Sequence, residues 1–106
     1  MENNYVAQTK IKAMAPDGRT FSVRLGVGLP YEISKEVWAC SVVLDGLQQR
    51  IPDMRGVDSW QALQLACQTI GQFLQYFVES GGKLYHDEGD DEELRLEDLF
   101  SKYPQR

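Results

Sequence analysis

Reactive side chains are scarce in this chain of 106 residues, which has one histidine and two cysteines. Cys40 and Cys67 stand in separate apolar runs without a CxxC pair, so each is predicted to be a reduced core residue. His86 has no serine or cysteine in a polar context that would complete a nucleophilic set. We therefore predict no enzyme, no cofactor and no metal site, with a small enzyme using His86 as the weaker alternative.

Long apolar runs and basic clusters are also missing. The opening "MENNYVAQTKIK" lacks the apolar core of a signal peptide, and the most apolar stretch is interrupted by glutamines, whereas a membrane span needs about 20 apolar residues. Binding to nucleic acid depends on clustered lysine and arginine. The sequence thus predicts a cytoplasmic protein that binds neither membrane nor nucleic acid.

Negative charge, by contrast, is concentrated in one segment. Residues 87–98 hold eight carboxylates against Arg95 alone, although the whole chain has a formal net charge of only −5. The segment does not fit a calcium-binding loop starting at Asp87, because Glu92 and Asp98 stand where glycine and glutamate are required. A local acidic surface predicts a basic partner.

The first half of the chain has the alternation of half-buried strands. Residues 5–14 and 20–29 flank the turn residues of "APDGR" and predict a hairpin. Trp38, Cys40, Val42 and Leu44 also alternate, which predicts another strand before a short one near residues 48–51. Residues 83–86, "KLYH", predict a strand, whereas "ELRLEDLF" fits either a strand or a helical turn.

One long amphipathic helix is predicted over about residues 58–80. Its apolar side chains recur every three or four positions, and Asp58, Gln61 and Gly81 supply the signals for its two ends. The fold is therefore predicted as α+β with two layers, in which this helix covers an antiparallel meander of four to five strands. Residues 1–106 are predicted to form a single domain with an acidic loop, 87–93, and a short C-terminal element. The buried stripe of the helix is predicted to contain Trp60, Leu63, Cys67, Ile70, Leu74 and Phe77, and Ala66 and Phe73 widen it.

The polar face of this helix carries amides instead of charges. No charged residue occurs between Asp58 and Glu79, and such a face is compatible either with open water or with an interface, because amides avoid the cost of burying charge. The amides are Gln61, Gln64, Gln68, Gln72 and Gln75.

Three stretches, "WAC", "GVDSWQALQLA" and "GGKLYH", together resemble small bacterial domains of an uncharacterised family. In that family a W-x-C strand precedes a G-x-D-S-x-Q-A-L-x-L-A helix and a Gly-Gly turn leads into a final strand, a match over about residues 20–86. Such domains are similar in size, acidity and architecture to the immunity proteins of contact-dependent growth inhibition and related toxin systems. The resemblance implies a protein that neutralises a toxin encoded by the adjacent gene.

The interpretation of function follows from this resemblance and from the acidic segment. The protein is predicted to bind a basic toxin domain, such as a nuclease, through its carboxylates. The alternative is a bacterial domain that binds a small ligand or another partner through the opposite sheet face or the amide face, without a toxin. The predicted partner-binding residues are Tyr85, His86, Asp87, Glu88, Asp90, Asp91, Glu92, Glu93, Glu97 and Asp98.

Overall fold

A computed structural model describes residues 5–86 and 92–100 of the chain. In this part the fold is α+β with one long helix, as the sequence predicts. The strands form a four-stranded antiparallel sheet and a three-stranded sheet, and the helix packs against both. The elements in chain order are β1 (Tyr5–Met14), β2 (Thr20–Gly28), β3 (Tyr31–Ser34), β4 (Val37–Cys40), β5 (Val42–Asp45), β6 (Met54–Gly56), α1 (Ser59–Glu79), β7 (Lys83–His86) and α2 (Leu96–Leu99).

The predicted hairpin forms the centre of the four-stranded sheet, whose order is β5-β2-β1-β7. Its turn contains Gly18 with a φ of 93°, a conformation that glycine adopts without steric cost. Val23, Leu25 and Val27 are buried on the side of the helix, whereas Arg24 lies on the outer face. One face of this sheet therefore enters the core.

The predicted single strand over residues 38–44 is divided between the two sheets. β4 pairs with β3 and β6, whereas β5 pairs with β2. The chain changes sheet at Ser41, whose carbonyl oxygen accepts a hydrogen bond of 3.1 Å from the amide of Gly28. Cys40, Val42 and Leu44 are buried at every second position across this change, so the sequence pattern alone suggested one continuous strand.

The short strand predicted near residues 48–51 is wrong in position. Gln48 makes only an isolated bridge to Leu44, and the third strand of the smaller sheet, β6, begins at Met54. Pro52 has no amide hydrogen to donate to a sheet, and Arg50 has a φ of 61°, so the chain cannot continue there as a regular strand.

The predicted ends of the long helix are confirmed. The side chain of Asp58 accepts a hydrogen bond of 2.8 Å from the amide of Gln61, and the Gln61 side chain accepts one of 2.8 Å from the amide of Val57. At the other end, Gly81 has a φ of 105°. The amide of Gly82 reaches back to the Phe77 carbonyl at 3.0 Å, the hydrogen bond that closes a Schellman motif.

Replacing Asp58 with alanine should lower the free energy of unfolding by about 0.5–2 kcal/mol, because the Gln61 amide loses its acceptor at the N-terminus of α1. Urea denaturation followed by circular dichroism measures the change. The exposed Asp45, which caps no helix, serves as the control in the variant Asp45→Ala. An equal loss of stability in both variants would show that the cap is not its cause.

The buried stripe of α1 agrees with the prediction at Ala66, Ile70 and Leu74 and differs from it at the start of the helix. Its fully buried residues are Ala62, Ala66, Ile70 and Leu74, whereas the predicted burial of Trp60 is wrong, since 68 % of its surface is exposed. Small side chains bring the helix close to β6: a Cβ atom added at Gly56 would lie 2.7 Å from the Ala62 amide nitrogen. Because the helix and β6 lie this close together, a small side chain such as that of Ala62 fits between them and a large one does not.

Candidate functional site

The described part of the acidic segment, residues 92–98, begins at the edge of the four-stranded sheet that is formed by β7. Six of the ten predicted partner-binding residues belong to the part of the chain that the structure describes; they are Tyr85, His86, Glu92, Glu93, Glu97 and Asp98. The other four, Asp87, Glu88, Asp90 and Asp91, lie outside the described residues.

Residues 93 and 94 lie alongside β7. Glu93 forms a β-bridge with Tyr85, and the amide of Leu94 donates a hydrogen bond of 2.7 Å to the carbonyl oxygen of Leu84. The side chain of Leu94 is only 4 % exposed and belongs to the core. Burial of this leucine fixes the exposed Glu92 and Glu93 at the sheet edge.

The last part of the segment forms α2, so the helical turn is the correct alternative of the two predicted for it. Leu96 and Leu99 pack against the core. The Asp98 carboxylate accepts a hydrogen bond of 3.0 Å from the Arg95 amide, and the Arg95 guanidinium lies 3.4 Å from the Glu97 carboxylate. Asp98 and Glu97 thus stabilise this turn. Their carboxylates have a structural role in addition to the predicted role in binding a partner.

Tyr85 lies on the outer face of the sheet, where it faces a cation. The Lys12 ammonium is 5.1 Å from the centre of its ring, a distance that allows cation–π attraction. His86, the next residue, is exposed at the end of β7. Tyr85 therefore lies between a lysine, Lys12, and a carboxylate residue, Glu93.

A basic sheet face next to the acidic edge was missed by the sequence interpretation. The strand register brings together Lys10, Lys12, Arg24 and Lys83 on the outer face, opposite α1, where Asp45 of β5 is the register partner of Arg24. The signal was the alternation of charged and apolar residues in β1 and β2, which places their charges on one side. The protein therefore has adjoining surfaces of opposite charge, a polarity that orients an approaching charged partner.

A small apolar cavity of about 190 Å³ lies between α1, α2 and the end of the sheet where β1 begins. Its apolar walls include Leu25, Val27, Ile70 and Leu99, and the Cys67 side chain also lines it. The sequence did not reveal this cavity, because its walls come from four separate elements.

Both cysteines carry free thiols, as the sequence predicts. The Cys40 thiol is fully buried and donates a hydrogen bond of 3.2 Å to the Gly28 carbonyl. Burial raises the pKa of the Cys40 and Cys67 thiols above that of a free cysteine. A raised pKa lowers the fraction of reactive thiolate at neutral pH.

Native protein should therefore react slowly with iodoacetamide at pH 7–8, and Cys40 more slowly than the half-buried Cys67. Mass spectrometry of timed digests assigns the label to each cysteine, and protein unfolded in guanidinium gives the unprotected rate. Labelling of native Cys40 at the unprotected rate would contradict its place in the core.

The described residues contain neither a membrane-spanning helix nor a cluster of metal ligands. No described helix is long and apolar enough to span a membrane. In the same residues, no group of three or more histidine, cysteine, aspartate and glutamate side chains could hold a metal ion.

Residues 9–96 match a family described as a domain of unknown function, DUF6968. The chain belongs to the DUF6968 family. The motifs "WAC", "GVDSWQALQLA" and "GGKLYH" all lie inside the matched range. In this DUF6968 chain they build β4, the capped start of α1 and β7. No curated protein and no solved structure matches the chain significantly. The comparisons therefore show the family of the chain and name no immunity protein as a relative.

Proposed function

We propose that this protein is a cytoplasmic, non-catalytic inhibitor that neutralises a basic toxin domain encoded by the adjacent gene. The acidic segment, residues 87–98, forms the binding surface together with Tyr85 and His86. The proposal follows from the charge of this segment and from the attachment of Glu93 and Leu94 to the sheet edge. The toxin is a protein whose own basic surface serves an anionic substrate, as in a nuclease.

The observation that carries the proposal is the anchoring of the acidic segment by Leu94. A chain that only needs solubility does not need its carboxylates held at a fixed position. Here the buried Leu94 and the bridge between Glu93 and Tyr85 fix the exposed Glu92 and Glu93 beside β7. Their fixed position lowers the entropy lost when they meet a complementary surface.

Each part of the site has a defined task in this proposal. The carboxylates attract the basic partner from a distance and raise the association rate. Tyr85 supplies an aromatic contact with a polar end, the type of residue that contributes strongly to binding energy in interfaces. Because carboxylates replace the phosphates of the substrate, the inhibitor covers the substrate-binding surface and needs no chemistry of its own.

The experiment is co-expression of this protein with the product of the adjacent gene in a host that lacks both. Expression of the neighbour alone should stop growth, and co-expression should restore growth and give a complex on gel filtration. The Leu29→Ala variant, changed at an exposed position away from the acidic segment, should protect equally well. The proposal would be excluded if the product of the adjacent gene did not stop growth, or if it formed no complex with the wild-type protein.

The alternative function, binding of a small ligand, is favoured by one observation, the apolar cavity beside Cys67. A volume of about 190 Å³ suits a short acyl chain or an aromatic ring, since it is smaller than most drug-sized pockets. Binding of an environment-sensitive fluorescent fatty acid, measured with wild-type protein and with Ala7→Phe at the cavity wall, tests this alternative. Equal binding by the wild-type protein and Ala7→Phe would exclude the cavity as the binding site.

A further inference from the structure

One row of side chains connects the basic outer face of the four-stranded sheet with the acidic edge. Lys12 is the register partner of both Ser22 and Tyr85, and Tyr85 forms the bridge with Glu93. Residues directly opposite each other on neighbouring strands point to the same side of a sheet. The acidic edge therefore shares the outer face with the lysine. In order across the sheet, the row consists of Ser22, Lys12, Tyr85 and Glu93.

The cations of the outer face lie close to this edge. Neighbouring strands are about 4.8 Å apart, and residues on one face of a strand follow each other at about 7 Å. The register therefore places the backbone of Lys12 about 10 Å and that of Lys83 about 8 Å from Glu93. Arg24, which is three strand spacings away, lies at about 16 Å.

A partner centred on the acidic edge also covers these cations. A protein–protein interface of standard size takes about 800 Å² from each partner, an area equal to a circle with a radius of about 16 Å. Centred on Glu93, such a circle includes Lys12 and Lys83 and reaches Arg24 at its border. The cations thus become part of the surface that the partner buries.

The outer face is basic, in contrast to the protein as a whole. The four strands of this sheet contain a single carboxylate, Asp45. Their lysines and arginine are Lys10, Lys12, Arg24 and Lys83. A uniformly basic partner would bring like charges together over this face, and like charges in an interface strongly disfavour a complex.

Part of the outer face is concave and supplies hydrogen-bond donors. A depression of about 310 Å³ is lined by Lys10, Ser22, Arg24, Asp45 and Gly46. A guanidinium binds a carboxylate through two parallel hydrogen bonds, and the Ser22 hydroxyl is a further donor. Asp45, the register partner of Arg24, is the acidic member of the lining. The depression is therefore suited to a carboxylate side chain of a partner.

We propose that the toxin carries an acidic patch beside its basic surface and that the outer face of the sheet binds this patch. The inference rests on the proposed function, in which the toxin binds at the acidic edge. Carboxylates of the toxin lie over Lys12, Lys83 and Arg24, while its basic residues lie over the acidic segment. Tyr85 lies between the two contacts, because its ring faces Lys12 and its backbone is bridged to Glu93.

The basic face gives the inhibitor a means of selecting its partner. An acidic segment by itself attracts any basic protein, because electrostatic attraction acts before contact. Repulsion of the wrong partner is a common source of specificity. The cations beside the carboxylates repel a uniformly basic surface, whereas a toxin with both charges in the matching arrangement is attracted by both parts of the face.

Isothermal titration calorimetry with the purified product of the adjacent gene tests the proposal on two variants of the full chain. Each variant loses three positive charges by substitution with glutamine. The outer-face variant carries Lys12→Gln, Arg24→Gln and Lys83→Gln. The control variant carries Lys35→Gln, Arg50→Gln and Arg55→Gln, at exposed positions outside the four-stranded sheet.

The outer-face variant should raise the dissociation constant by about tenfold or more, because carboxylates of the toxin lose their partners. The control variant should bind at least as tightly as the wild type, since the same loss of positive charge favours a basic toxin. Binding by the outer-face variant that equals or exceeds that of the control would overturn this inference and leave the proposed function in place. Absence of a complex with the wild-type protein would overturn both.

Lys83→Glu gives a second measurement, because it changes one exposed side chain at the start of β7. It should weaken binding more than Lys35→Glu, which makes the same change of charge away from the sheet, and circular dichroism should show both variants folded. Equal affinities of these two variants would contradict the proposal. Wild-type protein should not bind a labelled single-stranded oligonucleotide in fluorescence polarisation. Binding that the outer-face variant loses would assign the cations to phosphates and overturn the proposal.

Discussion

Replacing Leu74 with alanine should lower the free energy of unfolding by roughly 2–5 kcal/mol, the range for loss of a fully buried leucine side chain. Leu74 has no exposed surface and lies in the buried stripe of α1. The substitution leaves a cavity between the helix and the sheets, so the protein loses both burial and packing contacts. Ile70→Ala, at a 5 % exposed position of the same stripe, should have a loss within the same range.

The matched control is Leu29→Ala, because it removes the same atoms from a leucine that is 67 % exposed. This change should alter stability by less than about 0.5 kcal/mol. Chemical denaturation of the three variants and the wild type gives the free energies. A loss below 0.5 kcal/mol for both Leu74→Ala and Ile70→Ala would contradict packing of the helix on the sheets.

Reversal of the charge in the acidic segment should lower the rate of association with a basic toxin by about 10- to 1000-fold at low salt, the range of electrostatic steering. The variant carries lysine in place of Asp90, Asp91, Glu92 and Glu93. The wild-type rate should fall as salt is added, because charges are screened over about 8 Å at physiological ionic strength. The reversed variant should start slow and lose this dependence.

The fold should survive this reversal, since the anchor Leu94 is unchanged and Glu92 and Glu93 are exposed. Stopped-flow kinetics at several salt concentrations measures the rates, with circular dichroism as the test of folding. A control with the same change in net charge replaces exposed acidic residues elsewhere with lysine, namely Glu32, Glu36, Asp45 and Glu79. If both variants slow association equally, the net charge of the protein determines the association rate, and the position of the acidic segment does not.

The elements with local signals were predictable from the sequence. The N-cap Asp58 and the left-handed Gly81 define the ends of α1 through hydrogen bonds between residues close in the chain. The hairpin of β1 and β2 follows from a turn sequence between alternating strands. Such features depend on near neighbours and on side-chain period, and both are written in a single sequence.

The features set by tertiary contacts were not predictable. The change of sheet at Ser41 depends on the hydrogen bond from Gly28, thirteen residues earlier in the chain. The exposure of Trp60 depends on close packing of Ala62 against Gly56, which rotates the helix. Hydrophobicity alone favours tryptophan in the core over alanine, so the sequence pattern gave the wrong face at this position.

The candidate site was predictable in composition and only partly in structure. The carboxylates of the acidic segment are evident in the sequence, whereas the bridge of Glu93 to Tyr85 and the burial of Leu94 require a folded sheet edge. The cap formed by Asp98 also depends on the short helix α2. A run of negative charge thus indicated a surface without indicating which carboxylates stabilise the fold.

The most direct test of the proposed function is a hydrogen-exchange footprint of this protein with the purified product of the adjacent gene. Complex formation should slow exchange of the backbone amides in residues 83–98, while the hairpin β3–β4 keeps its rate. Absence of a complex, or protection that leaves residues 83–98 unchanged, would contradict an inhibitor that acts through its acidic edge.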